Sequence, residues 1–367
     1  MKVLIAAGGT AGHVFPALAV AERLTEEPGV QVTFVGTAGG QEARLVPGVG
    51  FPFTTVDARP LPRRPSPAAL VALAAAARAV SASRALVREA DVVVGMGGYV
   101  SLPVGLAAQS LGRPLVLHEQ NAVPGLANRV LARRATAVCL SFEEAAAKLP
   151  RGARSVLTGD PVRTRVLAVA RERERLAAEA WTALGLDPAL RTVLIVGGSQ
   201  GARRLNEAAA SAAPELARAE DVQVLLLCGP AHERAVAAAM GDRPRVRVVG
   251  FLERMELAYA AADLAVARAG ASTCAELAVC GIPAVLVPYP YATARHQEAN
   301  ARALARAGGA VVLSDADLSG TRLVRVVRDL LGDPERMRAM SAAMRAWARP
   351  DAADAVAREV LRAGGRG

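Results

Sequence analysis

Val3-Leu4-Ile5-Ala6-Ala7-Gly8-Gly9-Thr10-Ala11-Gly12-His13 opens the chain, and Val193-Leu194-Ile195-Val196-Gly197-Gly198-Ser199-Gln200-Gly201-Ala202 repeats its plan near the middle. Each stretch is an uninterrupted apolar run of strand length, then paired glycines, a hydroxyl residue and a helical pattern. A strand buried on both faces reads as such a run. Glycines directly after it permit a tight turn and close backbone approach, and the helix that follows offers unpaired N–H groups to an anion. One copy is a common nucleotide-fold phrase. Two copies, half a chain apart, predict two alike α/β domains holding something phosphorylated between them.

The rest of the chain fits that plan. Strands are expected at 2–7, 31–35, 52–57, 91–95, 115–118 and 136–140, with helices at 14–27, 67–89, 101–111, 124–133 and 142–148. Segment 151–165 reads as an interdomain connection. A second set of strands follows at 191–196, 222–227, 245–249, 263–266, 283–287 and 310–313. Helices are expected among them at 171–184, 200–218, 231–240, 254–261, 272–280, 295–306 and 317–331. Pro350 separates a last helix at 351–363. Alternation of this kind predicts parallel sheets wound on both faces. Ligands of such sheets bind beyond the carboxyl ends of the strands.

The 367 residues suffice for two cores. Aromatic residues make up only 3% of the chain, so a base-stacking nucleic-acid platform is not expected. The net charge of +10, almost all of it arginine, favours anionic partners without choosing among them. Cys139, Cys228, Cys274 and Cys280 sit in apolar patterns with no Cys-x-x-Cys pair, which predicts buried, reduced thiols in a cytosolic setting. No signal peptide is expected. The uncharged stretches 92–112 and 277–294 are interrupted by glycine and proline, and read as strand, loop and helix rather than as membrane spans.

Several polar groups follow predicted strands. His13 stands at a helix start, where the dipole disfavours imidazolium and suits a neutral general base; it could equally cap or pack the helix. The first turn lacks the Lys-Ser/Thr of a P-loop. Ser199 could donate to a phosphate oxygen; a purely structural turn is the alternative. In Arg268-Ala269-Gly270-Ala271-Ser272-Thr273-Cys274-Ala275-Glu276, the Glu276 carboxylate could accept from ribose hydroxyls. The same spacing also fits a capping box between Thr273 and Glu276. Gln297 and Asn300 could read sugar hydroxyls or merely begin a solvated helix. Gly98, Tyr99, Glu119 and Asn121 end strands on one edge, where polar loops face ligands; ordinary loop chemistry is the alternative.

Taken in order, GGTAGHVFPALA (8–19), GMGGYVSLP (95–103), HEQNAVPGLANR (118–129), GDPVR (159–163), GGSQGARRLN (197–206), FLERM (251–255), RAGASTCAEL (268–277), GIPAVLVPYP (281–290) and HQEANA (296–301) resemble the MurG family of glycosyltransferase family 28. These are the peptidoglycan enzymes that carry N-acetylglucosamine from its UDP donor to lipid I. Ala11 stands where the family usually has glycine, and Leu102 where it has a smaller residue.

The resemblance implies a GT-B fold: two Rossmann-like domains around a deep cleft, at 1–158 and 159–350, with helix 351–363 returning to the first. It implies donor contacts from Phe251, Leu252 and Met255 around uracil, and from Glu276 at the ribose. Arg163, Ser199 and Thr273 would lie at the diphosphate, with Arg268, Gly270, Ala271, Ser272, Gln297 and Asn300 completing the donor side. Acceptor contacts fall to Gly9, Thr10, Gly12, Gly98, Tyr99, Glu119 and Asn121. Thr10, Ala11, Gly12 and Asn121 also reach toward the donor.

The implied reaction inverts the anomeric centre. His13 is the expected base and Glu119 the second candidate. No metal or other cofactor is expected: Asp315-Ala316-Asp317 precedes a late helix and reads as its cap, leaving helix dipoles and Arg163 to stabilise the leaving diphosphate. The implied setting is the cytoplasmic face of the plasma membrane, peripherally bound. The expected partners are UDP-N-acetylglucosamine, lipid I, an anionic lipid surface and other cell-wall synthesis proteins, with no nucleic acid. Segment 61–90, with Arg63, Arg64, Arg78, Arg84 and Arg88 among Leu70, Val71 and Leu73, offers a basic-apolar membrane patch, unless those aliphatics are core. The rival readings are another UDP-sugar-dependent lipid transferase, such as a diacylglycerol galactosyl- or glucosyltransferase, a nucleotide-sugar epimerase, and a catalytically silent UDP-sugar sensor.

Overall fold

A computed structural model describes residues 1–58, 67–198, 201–241 and 243–366, without the side chains of 67–76. The chain divides into two compact units, Met1–Arg163 with Arg349–Gly367, and Thr164–Ala348.

Unit 1 runs β1 (Lys2–Ala6), α1 (Ala11–Thr25), β2 (Gln31–Gly36), α2 (Glu42–Gly48), β3 (Phe53–Thr55), α3 (Pro67–Arg88), β4 (Val92–Gly95), α4 (Gly98–Ser110), β5 (Leu115–Glu119), α5 (Leu126–Leu131), β6 (Ala137–Leu140) and β7 (Ser155–Leu157). Its sheet is parallel, in the order β3-β2-β1-β4-β5-β6-β7. β1 explains why the opening run has no polar alternation. Val3 and Ile5 face one core with Val14, Leu18 and Val94, while Leu4 and Ala6 face another with Val104 and Leu117. Complete burial of Ile5 alone is worth about 2–3 kcal/mol.

Unit 2 runs α6 (Thr164–Leu167), α7 (Val169–Leu184), β8 (Arg191–Val196), α8 (Arg203–Leu216), β9 (Val222–Leu227), α9 (Glu233–Met240), β10 (Val246–Val249), α10 (Met255–Ala261), β11 (Ala262–Ala267), α11 (Ala271–Val279), β12 (Ala284–Leu286), α12 (His296–Arg306), β13 (Ala310–Val312), α13 (Gly320–Leu331) and α14 (Pro334–Trp347). The parallel order is β10-β9-β8-β11-β12-β13. The last helix, α15 (Ala352–Ala363), belongs to unit 1, where Val356 and Val360 join the core of Val3 and Leu24.

In both sheets the strand order reverses beside the first strand, between β1 and β4 and between β8 and β11. This is the point at which a doubly wound sheet opens a crevice at its carboxyl edge. Both glycine turns sit at such a point.

The structure corrects several expectations. Segment 151–165 contains β7, a three-residue edge strand paired with β6. Its continuation stays with unit 1, because His118 Nε2 lies 3.1 Å from the Gly159 carbonyl and Ser141 donates to Asp160. The division therefore falls after Arg163. Helix α2 was not expected. Glu143–Lys148 is a 3-10 helix rather than an α-helix. Stretch 92–112 is β4 and α4, and no helix among the described residues is long and apolar enough to cross a membrane. All four cysteines are buried free thiols, and burial pushes Cys139 up to about 12.

Candidate functional site

In unit 1, the turn after β1 carries Gly9 at φ +100°, a backbone region that favours glycine, and Thr10 forms the N-cap of α1. His13 occupies the first turn of that helix, and its Nδ1 lies 2.9 Å from Thr10 Oγ1. Its ring lies along the turn after β4: a Cβ on Gly97 would stand 3.4 Å from His13 Nε2. Tyr99, two residues further, covers Gly9, whose own Cβ would come within 3.2 Å of the ring. Gly98 is packed so closely that a Cβ there would sit 2.5 Å from the Gly8 carbonyl oxygen. The Arg163 guanidinium stacks 4.5 Å over Phe15, on the helix that carries His13. Arg163 thus sits in unit 1, against α1.

Beyond β5, Glu119 is 3% exposed. Its Oε1 accepts from the Asn121 amide at 3.0 Å, and its Oε2 from the Gly125 amide at 2.9 Å and Asn128 Nδ2 at 2.8 Å. Burial raises its pKa, and the donors from Asn121, Gly125 and Asn128 oppose the rise. These bonds make Glu119 the pin of the loop that carries Asn121. Next to it, burial lowers His118 to about 4, against a hydrogen bond to the Gly159 carbonyl that raises it, so the ring is neutral near pH 7.

In unit 2, α11 starts three residues earlier than the capping-box reading requires. Gly270 is its N-cap and Ala271 its first residue, which leaves Ser272 and Thr273 half-buried in the first turn. Glu276 is therefore no capping partner of Thr273. It is 7% exposed and accepts from Tyr259 Oη at 2.8 Å. Asn300 is fully buried, and its Nδ2 donates to the Ala269 carbonyl at 3.1 Å, holding the turn that begins α11. Gln297 Oε1 accepts from the Tyr289 amide at 2.9 Å. Phe251 is 56% exposed after β10, with Leu252 and Met255 half-buried behind it.

Arg268 is buried at the end of β11 and pairs with Asp315 Oδ1 at 2.6 Å. Asp315 is therefore an ion-pair partner and not a helix cap. Ser319 caps α13 by accepting from the Arg322 amide at 3.2 Å, and Asp317 is bonded to Ser314. Ser199 lies outside the described residues. Among those described, no group of three His, Cys, Asp or Glu side chains is placed to hold a metal ion.

The structure thus gathers Gly9, Thr10, Ala11, Gly12, His13, Gly98, Tyr99, Glu119, Asn121 and Arg163 on one sheet edge of unit 1. The described residues expected at the donor, apart from those just named, follow strands on the corresponding edge of unit 2. Sequence reasoning missed Asn128, Tyr259 and Glu42, the last a fully buried carboxylate behind the first glycine turn. Asn128 had a visible signal, since it lies within the HEQNAVPGLANR stretch; Tyr259 had none.

Residues 3–140 match the glycosyltransferase family 28 N-terminal domain, and 192–356 match its C-terminal domain. The chain is 44% identical to a UDP-N-acetylglucosamine--N-acetylmuramyl-(pentapeptide) pyrophosphoryl-undecaprenol N-acetylglucosamine transferase of Moorella thermoacetica, over 99% of both chains. It is 46% identical to the enzyme of the same name from Nocardioides sp., over 99% of this chain and 98% of the relative. Among solved structures it is similar to Acinetobacter baumannii MurG, with a TM-score of 0.78 and 33% identity over 98% of this chain and 99% of that one. A Staphylococcus aureus MnaA–UDP structure, at 14% identity and a TM-score of 0.73, shares the fold.

Proposed function

The chain belongs to glycosyltransferase family 28, and on that premise we propose that it transfers N-acetylglucosamine from its UDP donor to the muramyl 4-hydroxyl of lipid I. The observation that carries this reading is the end-to-end similarity, across both units, to transferases named for that reaction. In the proposed mechanism the 4-hydroxyl attacks the anomeric carbon, the bond to UDP breaks, and the configuration inverts. His13 takes the hydroxyl proton. Within unit 2 the N-terminal amides of α11 stabilise phosphate charge, and within unit 1 those of α1, with Arg163, do the same.

Transfer of labelled N-acetylglucosamine to a lipid I analogue tests the reading, with UDP-glucose and UDP-galactose run beside the natural donor. Good transfer to diacylglycerol and none to the lipid I analogue would overturn it.

Glu276 is assigned to the ribose hydroxyls, since Tyr259 holds its carboxylate in the second turn of α11. Hydrogen bonds to a charged group contribute about 1.5–3 kcal/mol. Glu276→Ala is therefore expected to raise KM for UDP-N-acetylglucosamine about 10–100-fold. An unchanged KM would remove Glu276 from the donor site.

A peripheral position on the cytoplasmic face of the membrane follows from the lipid-linked acceptor. Residues 59–66, with Arg63 and Arg64, lie outside the described residues, as do the side chains of Leu70, Val71 and Leu73. In the described part of α3, Val80 and Leu86 pack on the core while Arg78 and Arg88 are exposed. A second surface of the same unit supports the reading. On α5, Leu126 and Val130 are 61% and 51% exposed, with Arg129, Arg133 and Arg134 exposed around them. We assign this surface to anionic lipid. Replacing both Leu126 and Val130 with glutamate should weaken co-sedimentation with vesicles rich in anionic lipid about tenfold or more, since each basic contact alone is worth about 1 kcal/mol. Unaltered sedimentation would exclude it.

A further inference from the structure

Behind the first glycine turn, the sequence Gly39-Gly40-Gln41-Glu42 begins α2 and sends one carboxylate into the unit. Glu42 is fully buried. Its Oε1 accepts from the Thr37 amide at 2.9 Å and from Thr37 Oγ1 at 2.8 Å, and its Oε2 faces the Gly9 amide at 3.4 Å. Three glycines make room for it. A Cβ on Gly8 would stand 2.6 Å from Oε1, and a methyl at Gly36 or Gly40 would overlap the Glu42 side chain. Thr37 Oγ1 continues the chain of contacts to Tyr99 Oη at 3.3 Å, and Tyr99 covers Gly9.

The N–H of Gly9 and the C=O of Gly8 belong to one trans peptide and point in opposite directions. The N–H side faces Glu42, and the C=O side is pressed against Gly98. That peptide is held from both sides, with its N–H turned away from any ligand of the turn. A peptide flip there would break the Glu42 contact and shift Thr10 and His13, which follow directly.

We infer that Glu42 is a positioning residue of the transfer site: it fixes the Gly8–Gly9 peptide and thereby holds His13 against the Gly97 turn. It touches no substrate and takes no proton. The inference rests on the proposed transfer reaction for its kinetic consequence, and on the hydrogen bonds alone for its structural one.

Two variants reach the same contact by different routes. Glu42→Ala deletes the carboxylate, and Gly40→Ala displaces it while leaving it in the chain. Each should lower kcat about 10–100-fold, the cost of misplacing a reacting group by roughly 1 Å. KM for UDP-N-acetylglucosamine, set in unit 2, should stay within about twofold. The double variant should be no slower than the slower single variant, because both remove one interaction. Amide hydrogen exchange over 7–14 should quicken in both, while 92–95 stays protected.

A kcat within about twofold of the parent in either folded variant would overturn the inference. So would effects that multiply in the double variant, or unchanged exchange over 7–14. The exchange result decides the structural claim even if the parent protein transfers no sugar, an outcome that would sink the functional reading separately.

Discussion

Replacing His13 with alanine is expected to lower turnover about 10²–10⁴-fold while UDP binding by unit 2 is retained. The geometry supplies the reason. His13 lies in the first turn of α1, and its Nδ1 is 2.9 Å from Thr10 Oγ1. A neutral imidazole has one donor and one acceptor nitrogen. For Nε2 to take the hydroxyl proton, Nδ1 must carry its own and donate it to Thr10 Oγ1. Thr10 then selects the working tautomer, as second partners of catalytic histidines do. Thr10→Val should accordingly lose part of what His13→Ala loses, and should add little to it in the double variant. Steady-state and single-turnover rates with a lipid I analogue measure this. A His13→Ala loss below about tenfold would move the base to Glu119 or to water.

How far the sequence carried this reading depends on how local each signal was. The strands of both sheets were legible because burial on both faces leaves runs such as Val193–Val196 and Val224–Leu227 without polar interruption. The glycine turns were legible for the same local reason. β7 was not, because a three-residue edge strand at Ser155–Leu157 has too little pattern to separate from a loop. α2 was hidden by its seven residues and by the glycines before it. Those glycines were the signal, since they clear space for Glu42. The spacing of Thr273 and Glu276 matched a capping box, but Gly270 takes the N-cap and shifts the register. The pairing of Asp315 with Arg268 joins the ends of strands about fifty residues apart, and only the assembled sheet brings them together. Local spelling made Asp315 look like a cap for the same reason that it could not show Arg268.

Glu119→Ala should abolish measurable transfer and lower the stability of unit 1 by about 3 kcal/mol or more, since each buried donor left unmet costs about 1–3 kcal/mol. Three donors depend on it: the amides of Asn121 and Gly125, and Asn128 Nδ2. Glu119→Gln separates a catalytic base from a pin. Glutamine costs stability in either case, since it replaces one acceptor oxygen with a donor; if the carboxylate also takes a proton in the reaction, transfer should stop even in protein that remains folded. If it only holds the loop, glutamine should lose stability and transfer together, because its amide turns donors toward donors. The pH dependence sharpens the test. Burial raises the folded pKa of Glu119, so the folded state favours the protonated acid. The stability that goes with this shift is complete below the ordinary glutamate range and is lost as pH rises through the folded pKa. Glutamine has no such titration. The stability deficit of Glu119→Gln should therefore be largest in acid and should shrink as pH rises, read by urea unfolding of both proteins from pH 4 to pH 8. A deficit that grows with pH would mean that the donors outweigh burial, and that the folded carboxylate is held charged more firmly than in the unfolded chain.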